Sequence, residues 1–514
     1  MTGWRGRDVF GRPEVAVLTA AEAAAIDRRA REAAGIPERV LMENAGRSAA
    51  LILHRLFPHG RVLGYAGSGH NGGDLLVMLR TLQQWGRECG VIQASAREGD
   101  PLLHGFELAT LDPGSDPAAW DIIVDGVLGT GAAGAPRGAA AEAIAAMNRA
   151  RRPVLALDIP SGIDATTGRV ESEAVHARVT VTFGAPKLGL LLHPGRSHAG
   201  RILAVEIGFP PLAAEAAGAQ AITPAWVSAR LPLRPAAAHK GMSGRLLVVA
   251  GQEGMAGAAV IAGGAAVGAG AGLVRIASAA ANRVIVQSDV PEATFFDRDT
   301  LPDDALDGVT AAVIGPGFGT DAAAGAALER ALERTGRLAT LLDADALNLL
   351  ARDARRLPEL ARTRPLVITP HPRELSRLLD VSLAEITADA PAAARAACAR
   401  FGCTVLLKGQ PSLVAAPDAR LLVNTAGSSD VAVAGMGDQL AGVAGALLAA
   451  GLEPAVAAAC ALFLSSRAAD LAGRGRALSP RDVTAQLAAA LQQPGARGPF
   501  AGLPFITFDQ PASR

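Results

Sequence analysis

Lysine is scarce in this chain of 514 residues. Of its 49 basic residues only Lys187, Lys240 and Lys408 are lysines. Cysteine is scarce too, and neither charge sign is in excess. Each shortage excludes something. Four cysteines in this length cannot make a disulfide scaffold. Cys89, Cys398, Cys403 and Cys460 lack the short paired spacing of a zinc site, so a reducing, cytoplasmic setting is expected. The balance of 49 basic against 49 acidic residues argues against a nucleic-acid binder, which would carry a basic face. The apolar stretch 15–26 holds Glu22 and lacks a cleavage pattern, so it does not read as a leader. The longest charge-free run, between Glu253 and Arg275, is mostly Ala and Gly. It reads as a buried loop and helix rather than a membrane span.

Half the residues are hydrophobic and 19% are charged, enough apolar material for a sizeable core. The length predicts two to four domains. A lysine kept in so arginine-biased a chain points to a need for a compact ammonium in place of a planar fork, with chance as the alternative for any one of them. All three lie beside glycines, in APKLG, HKG and LLKG.

Thr19 and Glu22 form a capping-box pattern that predicts a helix ending near Gly35. Short apolar runs then alternate with helical patterns. VLGYA (62–66), GVIQA (90–94), DIIVD (121–125) and PVLALD (153–158) read as buried strands, and a helix is expected from Asp74. The rhythm lapses between about Gly208 and Pro235, where five prolines punctuate an Ala-rich stretch. It then restarts through RLLVVAG, LVRIA, AAVIGPG, ATLLDADA, PLVITPH and TVLLKG. LVAAPDARLLV reads as a hairpin. Two different α/β domains are predicted, 1–222 and 223–514.

The motifs sit at strand ends, where ligands of open α/β sheets gather. In the first half they are GSGHNGGD (67–74), DGVLGTGAAGAPRG (125–138), DIPSGID (158–164) and TFGAPKLGL (182–190). Glycine-rich turns before helices suit phosphates. Asn71, Asp125 and Ser161 are hard oxygen donors able to hold a cation, with turn or helix capping as the plainer role for the acids. In the second half, GMAGAA (254–259), GPGFG (315–319), DADALN (343–348), TPHPRE (369–374), KGQPS (408–412) and GMGD (435–438) recur in the same manner. Glycine amides at a helix start, as in GMGD, can stabilise a transferred phosphoryl group and an adjacent aspartate can take a hydroxyl proton, with helix capping as the plainer role for Asp438.

The first four motifs, in order over residues 15–220, resemble the NAD(P)H-hydrate epimerase family, which has a Rossmann-like fold. That resemblance implies interconversion of the R and S forms of hydrated NADH and NADPH. It implies substrate contacts from His70, Asn71, Gly72, Gly73 and Asp74, and from Gly129, Thr130, Gly131, Ala132, Ala133, Gly134 and Ala135. Asn71, Asp125 and Ser161 would ligate potassium, and Asp158 would be the acid–base group. His70 and Leu75 stand where that family usually has Asn and Gly.

The second set, with HKG before it, resembles the ADP-dependent NAD(P)H-hydrate dehydratase family of ribokinase-like fold, over residues 225–495. By that resemblance Ala258, Gly317, His371 and Asp438 meet the hydrate, with Asp438 catalytic. Lys408, Gly409, Gln410, Pro411, Ser412 and Gly437 meet ADP, and magnesium accompanies the nucleotide. Met436 stands at a usual Thr, Arg373 at a usual Gly, and Gln439 at a commonly aliphatic position. The fusion is similar to the bacterial bifunctional nicotinamide nucleotide repair enzymes, which phosphorylate the S hydrate from ADP and then eliminate phosphate. The partners expected are therefore small molecules, with no nucleic acid and no membrane. A homo-oligomer, a tetramer among the forms, is expected because such folds often self-associate. Two other classes fit parts of the sequence: a ribokinase-type small-molecule kinase with an accessory domain, and a protein one half of which only binds or assembles.

Overall fold

The computed structural model describes residues 10–95, 101–211, 217–232, 243–417, 419–492 and 503–512, so Lys240 and HKG lie outside the described residues. The chain forms two compact units, Met1–Gln220 with Ala496–Arg514, and Ala221–Gly495.

In the first unit, Thr19 caps the helix Ala20–Glu32 with the expected reciprocal bonds to Glu22, and Gly35 takes a φ of +66° beyond its end. Seven strands run parallel in the order Arg201–Val205, Val179–Phe183, Val154–Leu157, Ile122–Gly126, Val62–Ala66, Cys89–Gln93, Ala109–Leu111. The order reverses between Val62–Ala66 and Ile122–Gly126. That is the switch point at which an open sheet leaves a crevice. The helix after Val62–Ala66 starts at His70, four residues earlier than its sequence implies. Gly73 is required by packing: a Cβ on it would lie 2.5 Å from Met42 Sδ. Leu75 fills the space that Gly64 and Gly126 leave on the strands beneath it.

The expected boundary at 222 needs one correction. The strand Ile506–Gln510 pairs antiparallel with Arg201–Val205 and with Phe10–Gly11, so the chain's last strand belongs to the first unit's sheet. Asp509 is fully buried there, accepting from Arg201 Nε at 2.7 Å through one carboxylate oxygen and from Nη2 through the other. A five-residue strand carries no sequence mark of the sheet it joins, and only this pairing reveals it.

In the second unit the strands Thr294–Asp297, Leu273–Ser278, Arg245–Val249, Ala311–Ile314, Ala339–Leu342, Leu366–Ile368 and Thr404–Leu407 are parallel neighbours in that order. The expected hairpin, Leu413–Ala415 and Leu421–Asn424, continues the sheet antiparallel. Here the switch point lies between Arg245–Val249 and Ala311–Ile314. The charge-free run forms the 13-residue helix Ala256–Gly268 against the helix Met436–Ala449. The two backbones approach so closely that a Cβ on Gly442 would lie 2.1 Å from Ala262 O. Helix Pro454–Ala472 is long and apolar enough to cross a membrane by length and composition. Ala457–Leu464, Ser466, Ala468 and Ala469 are buried, which accounts for its apolarity within the core of this unit.

Removing one member of a buried ion pair leaves the other uncompensated, at a cost of about 3–5 kcal/mol. Asp509→Ala is therefore expected to lower the stability of the first unit by about 3 kcal/mol, read by urea unfolding of the full chain.

Candidate functional sites

At the first switch point Asn71, in the first turn of the helix after Val62–Ala66, and Asp125, near the end of Ile122–Gly126, are linked through Leu128 and Ser161. Asp125 is fully buried and accepts from Ser161 Oγ at 2.7 Å, Ser161 N at 2.8 Å and Val127 N at 3.2 Å. Ser161 Oγ in turn accepts from Leu128 N at 2.9 Å, and Asn71 Nδ2 donates to Leu128 O at 2.8 Å. Burial pushes the Asp125 carboxyl up to about 6, against those hydrogen bonds. Asn71 Oδ1 is buried with no hydrogen-bond partner among the described residues. Among the described residues Asp125 has no cationic partner, and a buried carboxylate and an orphaned carbonyl oxygen side by side suit a positive charge. The set fits a hard cation held by Asn71, Asp125 and Ser161.

Asp158 lies one strand further along. Its φ is +61°, and its amide donates to Val181 O at 2.7 Å. That left-handed turn is sterically costly for most residues and easier for Asp. Asp158 Oδ1 accepts from Lys187 Nζ at 2.6 Å. The same ammonium donates to Thr182 Oγ1 at 3.0 Å and to Phe183 O at 2.7 Å, so its three protons are used. Lys187 is only 3% exposed. Asp158 Oδ2 points elsewhere: a Cβ on Gly129 would lie 4.0 Å from it and 3.4 Å from Asn71 Cβ. Asn71, Gly129 and Asp158 thus converge. Gly129, Ala132, Gly134 and Ser161 also line a shallow cleft with the exposed residues Arg169 and Glu171. The rest of the loop, Thr130, Gly131, Ala133 and Ala135, is half-buried or exposed.

Four expected contact residues sit differently. His70 is 63% exposed on the surface, with Nε2 3.1 Å from Glu38 Oε1. Gly72, Gly73 and Asp74 are buried in the helix. Lys187 has the role its sequence did not reveal; its only mark was that lysine survives there.

In the second unit the switch-point loops are stitched together by Gly251 N to Pro316 O at 2.9 Å and Gln252 N to Gly317 O at 2.7 Å. A Cβ on Gly317, at φ +56°, would lie 2.7 Å from Ala258 Cβ, so these two expected substrate residues touch. Asp345 accepts from Gly319 N at 2.8 Å and from Asn348 Nδ2 at 3.3 Å, tying GPGFG to DADALN. His371 caps the helix Pro372–Leu379. Its Nδ1 accepts from the amides of Arg373 and Glu374, and Glu374 accepts from His371 N at 2.8 Å. Burial and the Lys408 charge lower the His371 pKa. Nδ1 is therefore an acceptor, and Nε2 carries the proton of the neutral ring.

Lys408 Nζ donates to Asp343 Oδ1 at 2.7 Å. Burial works against its charge, but Asp343 and Glu374 outweigh it and raise its pKa. KGQPS is a tight turn in which Gly409 N donates to Ser412 Oγ at 3.2 Å and Ser412 Oγ donates to Gly409 O at 3.0 Å. Gln410 is exposed and Pro411 half-buried. Gly435, at φ +84°, opens the helix Met436–Ala449, with Gly437 and Asp438 in its first turn. Burial, then Asp343, push the Asp438 carboxyl up to about 7, against the Lys408 charge. Glu374 is likewise pushed up to about 7 by burial. Met436, at the usual hydroxyl position, packs against the apolar core.

Two α/β domains, each with a strand-end carboxylate held by an ammonium, define an enzyme that joins two small-molecule sites in one chain. A family profile described as NAD(P)H-hydrate dehydratase matches residues 246–492, and one described as YjeF-related protein N-terminus matches residues 38–189. A protein of Moorella thermoacetica named bifunctional NAD(P)H-hydrate repair enzyme Nnr is 37% identical over 502 residues, 90% of this chain and 93% of that protein. One of the same name from Escherichia coli is 36% identical over 462 residues, 87% of each. An ADP/ATP-dependent NAD(P)H-hydrate dehydratase from Bacillus subtilis, crystallised with ATP and Mg2+, superposes with a TM-score of 0.46 at 27% identity, covering 52% of this chain and 96% of that one. The chain belongs to the family of bifunctional NAD(P)H-hydrate repair enzymes.

A buried base with its pKa near 7 works only when ionised. If Asp438 takes a proton in the rate-limiting step, kcat of the second domain falls as pH drops through about 7 and levels off above it, as a pH–rate profile will read.

Proposed function

We propose that the chain restores hydrated NADH and NADPH in two steps: the first domain equilibrates the R and S hydrates, and the second dehydrates the S form at the expense of ADP. The observation that carries this is the pairing of the two site constellations in one member of the repair family, Asp158 with Lys187 and Asp438 with the Lys408–Asp343 pair.

In the first domain, inverting a carbon that bears a hydroxyl and a ring nitrogen takes a proton off the hydroxyl while the carbon–nitrogen bond opens. The proton returns when the bond closes on the other face. Asp158 is our assignment for the carrier, through Oδ2, because Oδ1 is engaged by Lys187. Asn71, Asp125 and Ser161 would hold a potassium ion, whose charge steadies the loop beside Gly129. Loop 129–135 and the N-terminal end of the helix that starts at His70 would receive the nucleotide.

In the second domain, Asp438 would take the proton of the hydrate's hydroxyl as its oxygen attacks the terminal phosphorus of ADP and AMP leaves. Phosphate then departs with the carbon–oxygen bond, and loss of a proton from the adjacent ring carbon restores the double bond. Ala258, Gly317 and His371 would hold the hydrate, and Lys408–Ser412 with Gly437 the nucleotide. Magnesium supplies charge neutralisation to transferring phosphates. No cluster of three His, Cys, Asp or Glu side chains fit for a metal occurs among the described residues. An ion carried by the phosphates and water needs no such cage, and no residue is assigned to it. The four cysteines are free and buried, in keeping with a cytoplasmic setting, and self-association into a tetramer remains part of the proposal.

The test is recovery of dihydronicotinamide absorbance from an R/S mixture of NADH hydrate with potassium, magnesium and ADP or ATP. Wild type is expected to recover the whole mixture, Asp158→Ala the S portion alone, and Asp438→Asn to be slower by about a hundredfold. A stable phosphorylated product would favour a kinase instead. Potassium is expected to raise the melting temperature of wild type at pH 7.5 and not that of Asp125→Ala. A hundredfold excess over Kd corresponds to about 2.7 kcal/mol.

A further inference from the structure

Strand Ala339–Leu342 delivers Asp343 into the second site with its side chain 1% exposed. Its Oδ1 holds the Lys408 ammonium at 2.7 Å. A Cβ on Gly437 would lie 3.5 Å from Lys408 Nζ and 3.8 Å from Asp343 Oδ2. Carboxylate and ammonium therefore both border the peptide that leads into Asp438. Lysine is a point charge on a flexible stem, and without an anchor it has no single position. A buried carboxylate supplies one. The cation does not neutralise the whole cluster: Glu374 and Asp438 act on Lys408 along with Asp343.

We propose that Asp343 is a positioning residue for phosphoryl transfer: it fixes the Lys408 ammonium beside the Gly437 peptide, and its own charge keeps Asp438 ready to accept the substrate's hydroxyl proton. This rests on the dehydratase reading of the second domain. In the step itself the hydroxyl oxygen bonds to the terminal phosphorus of ADP as the bond to the bridging oxygen breaks and AMP leaves. The proton passes to Asp438. Lys408 faces the phosphoryl charge and gives up no proton. The charges acting on Asp438 are Asp343 and Asp345 from the DADALN segment and Lys408 from the end of Thr404–Leu407. Glu374, His371, Arg373 and Arg377, on the TPHPRE turn and its helix, complete the cluster.

The two partners make opposite forecasts. D343N removes a negative neighbour and releases the ammonium toward Asp438. The acid limb of the kcat–pH profile then moves down by about one unit, with kcat at its plateau reduced more than the KM for ADP is raised. K408Q removes the positive neighbour, so its limb moves up. Both are measured on the full chain with ADP and the S hydrate. Loss of rate with an unmoved limb, or shifts in the same direction, would overturn the proposal. If D343N does not fold, the upward shift in K408Q decides. A carboxyl 13C titration of Asp438, its signal assigned by comparison with D438N, reads the same shifts without turnover. If wild type titrates as expected and the variants shift oppositely but no dehydration occurs, the dehydratase reading falls while the pairing stands. Unshifted titration in folded variants rejects the pairing.

Discussion

An ammonium buried against a strand-end carboxylate is the interaction on which both sites depend. Lys187 holds Asp158 in the first domain, and Lys408 holds Asp343 in the second. A charge taken out of water is tolerable only with a partner and satisfied protons. Lys187 meets that demand fully, through three acceptors. The consequence is geometric: one oxygen of Asp158 is spoken for, and the other is left facing Gly129. Guanidinium would not serve, because its planar fork needs a wider, flatter acceptor set than one carboxylate oxygen, one hydroxyl and one carbonyl. That gives a physical reason for lysine at 187 in a chain that uses arginine almost throughout.

The sheets decide where such pairs can form. Each domain's strand order reverses once, so the loops after two adjacent strands diverge to opposite faces and open a crevice. Asn71, in the first turn of a helix, and Asp125, near the end of a strand, flank one reversal; Ala258, in the first turn of a helix, and Gly317, on a loop, flank the other. Small residues are needed there for close approach: a Cβ on Gly67 would fall 1.9 Å from Val127 O, and one on Gly315 would fall 1.9 Å from Asp343 O. The glycine-rich composition of the motifs thus records packing between loops as much as room for phosphate.

Much of this was legible in the sequence. The βα rhythm, the Thr19 capping box, the hairpin at 413–423 and the strand-end position of motifs such as DADALN and TPHPRE follow from short-range patterns that the backbone obeys directly. What was not legible depends on distant residues. The last strand joins the first sheet through a partner about 300 residues away, Arg201 with Asp509. Lys187 lies 29 residues from Asp158, and Lys408 lies 65 from Asp343. No periodicity links such positions. Burial also changes chemistry that residue type alone does not reveal: Glu374 completes the capping box with His371, and its burial pushes its carboxyl up to about 7.

Two of the departures from the family pattern, Leu75 and Met436, are absorbed locally. Leu75 occupies volume left by Gly64 and Gly126, two glycines on neighbouring strands, so a larger residue on the helix is matched by smaller ones below it. Met436 turns into the apolar core, leaving the first turn of its helix to present Gly437 and Asp438. A hydroxyl there would add one donor to a phosphate, but the positive charge beside that turn comes from Lys408, whose ammonium borders Gly437 whatever residue stands at 436. Charge stabilisation of a transferred phosphoryl group in a half-buried site outweighs a single neutral hydrogen bond. The site therefore retains its main electrostatic component with methionine in place.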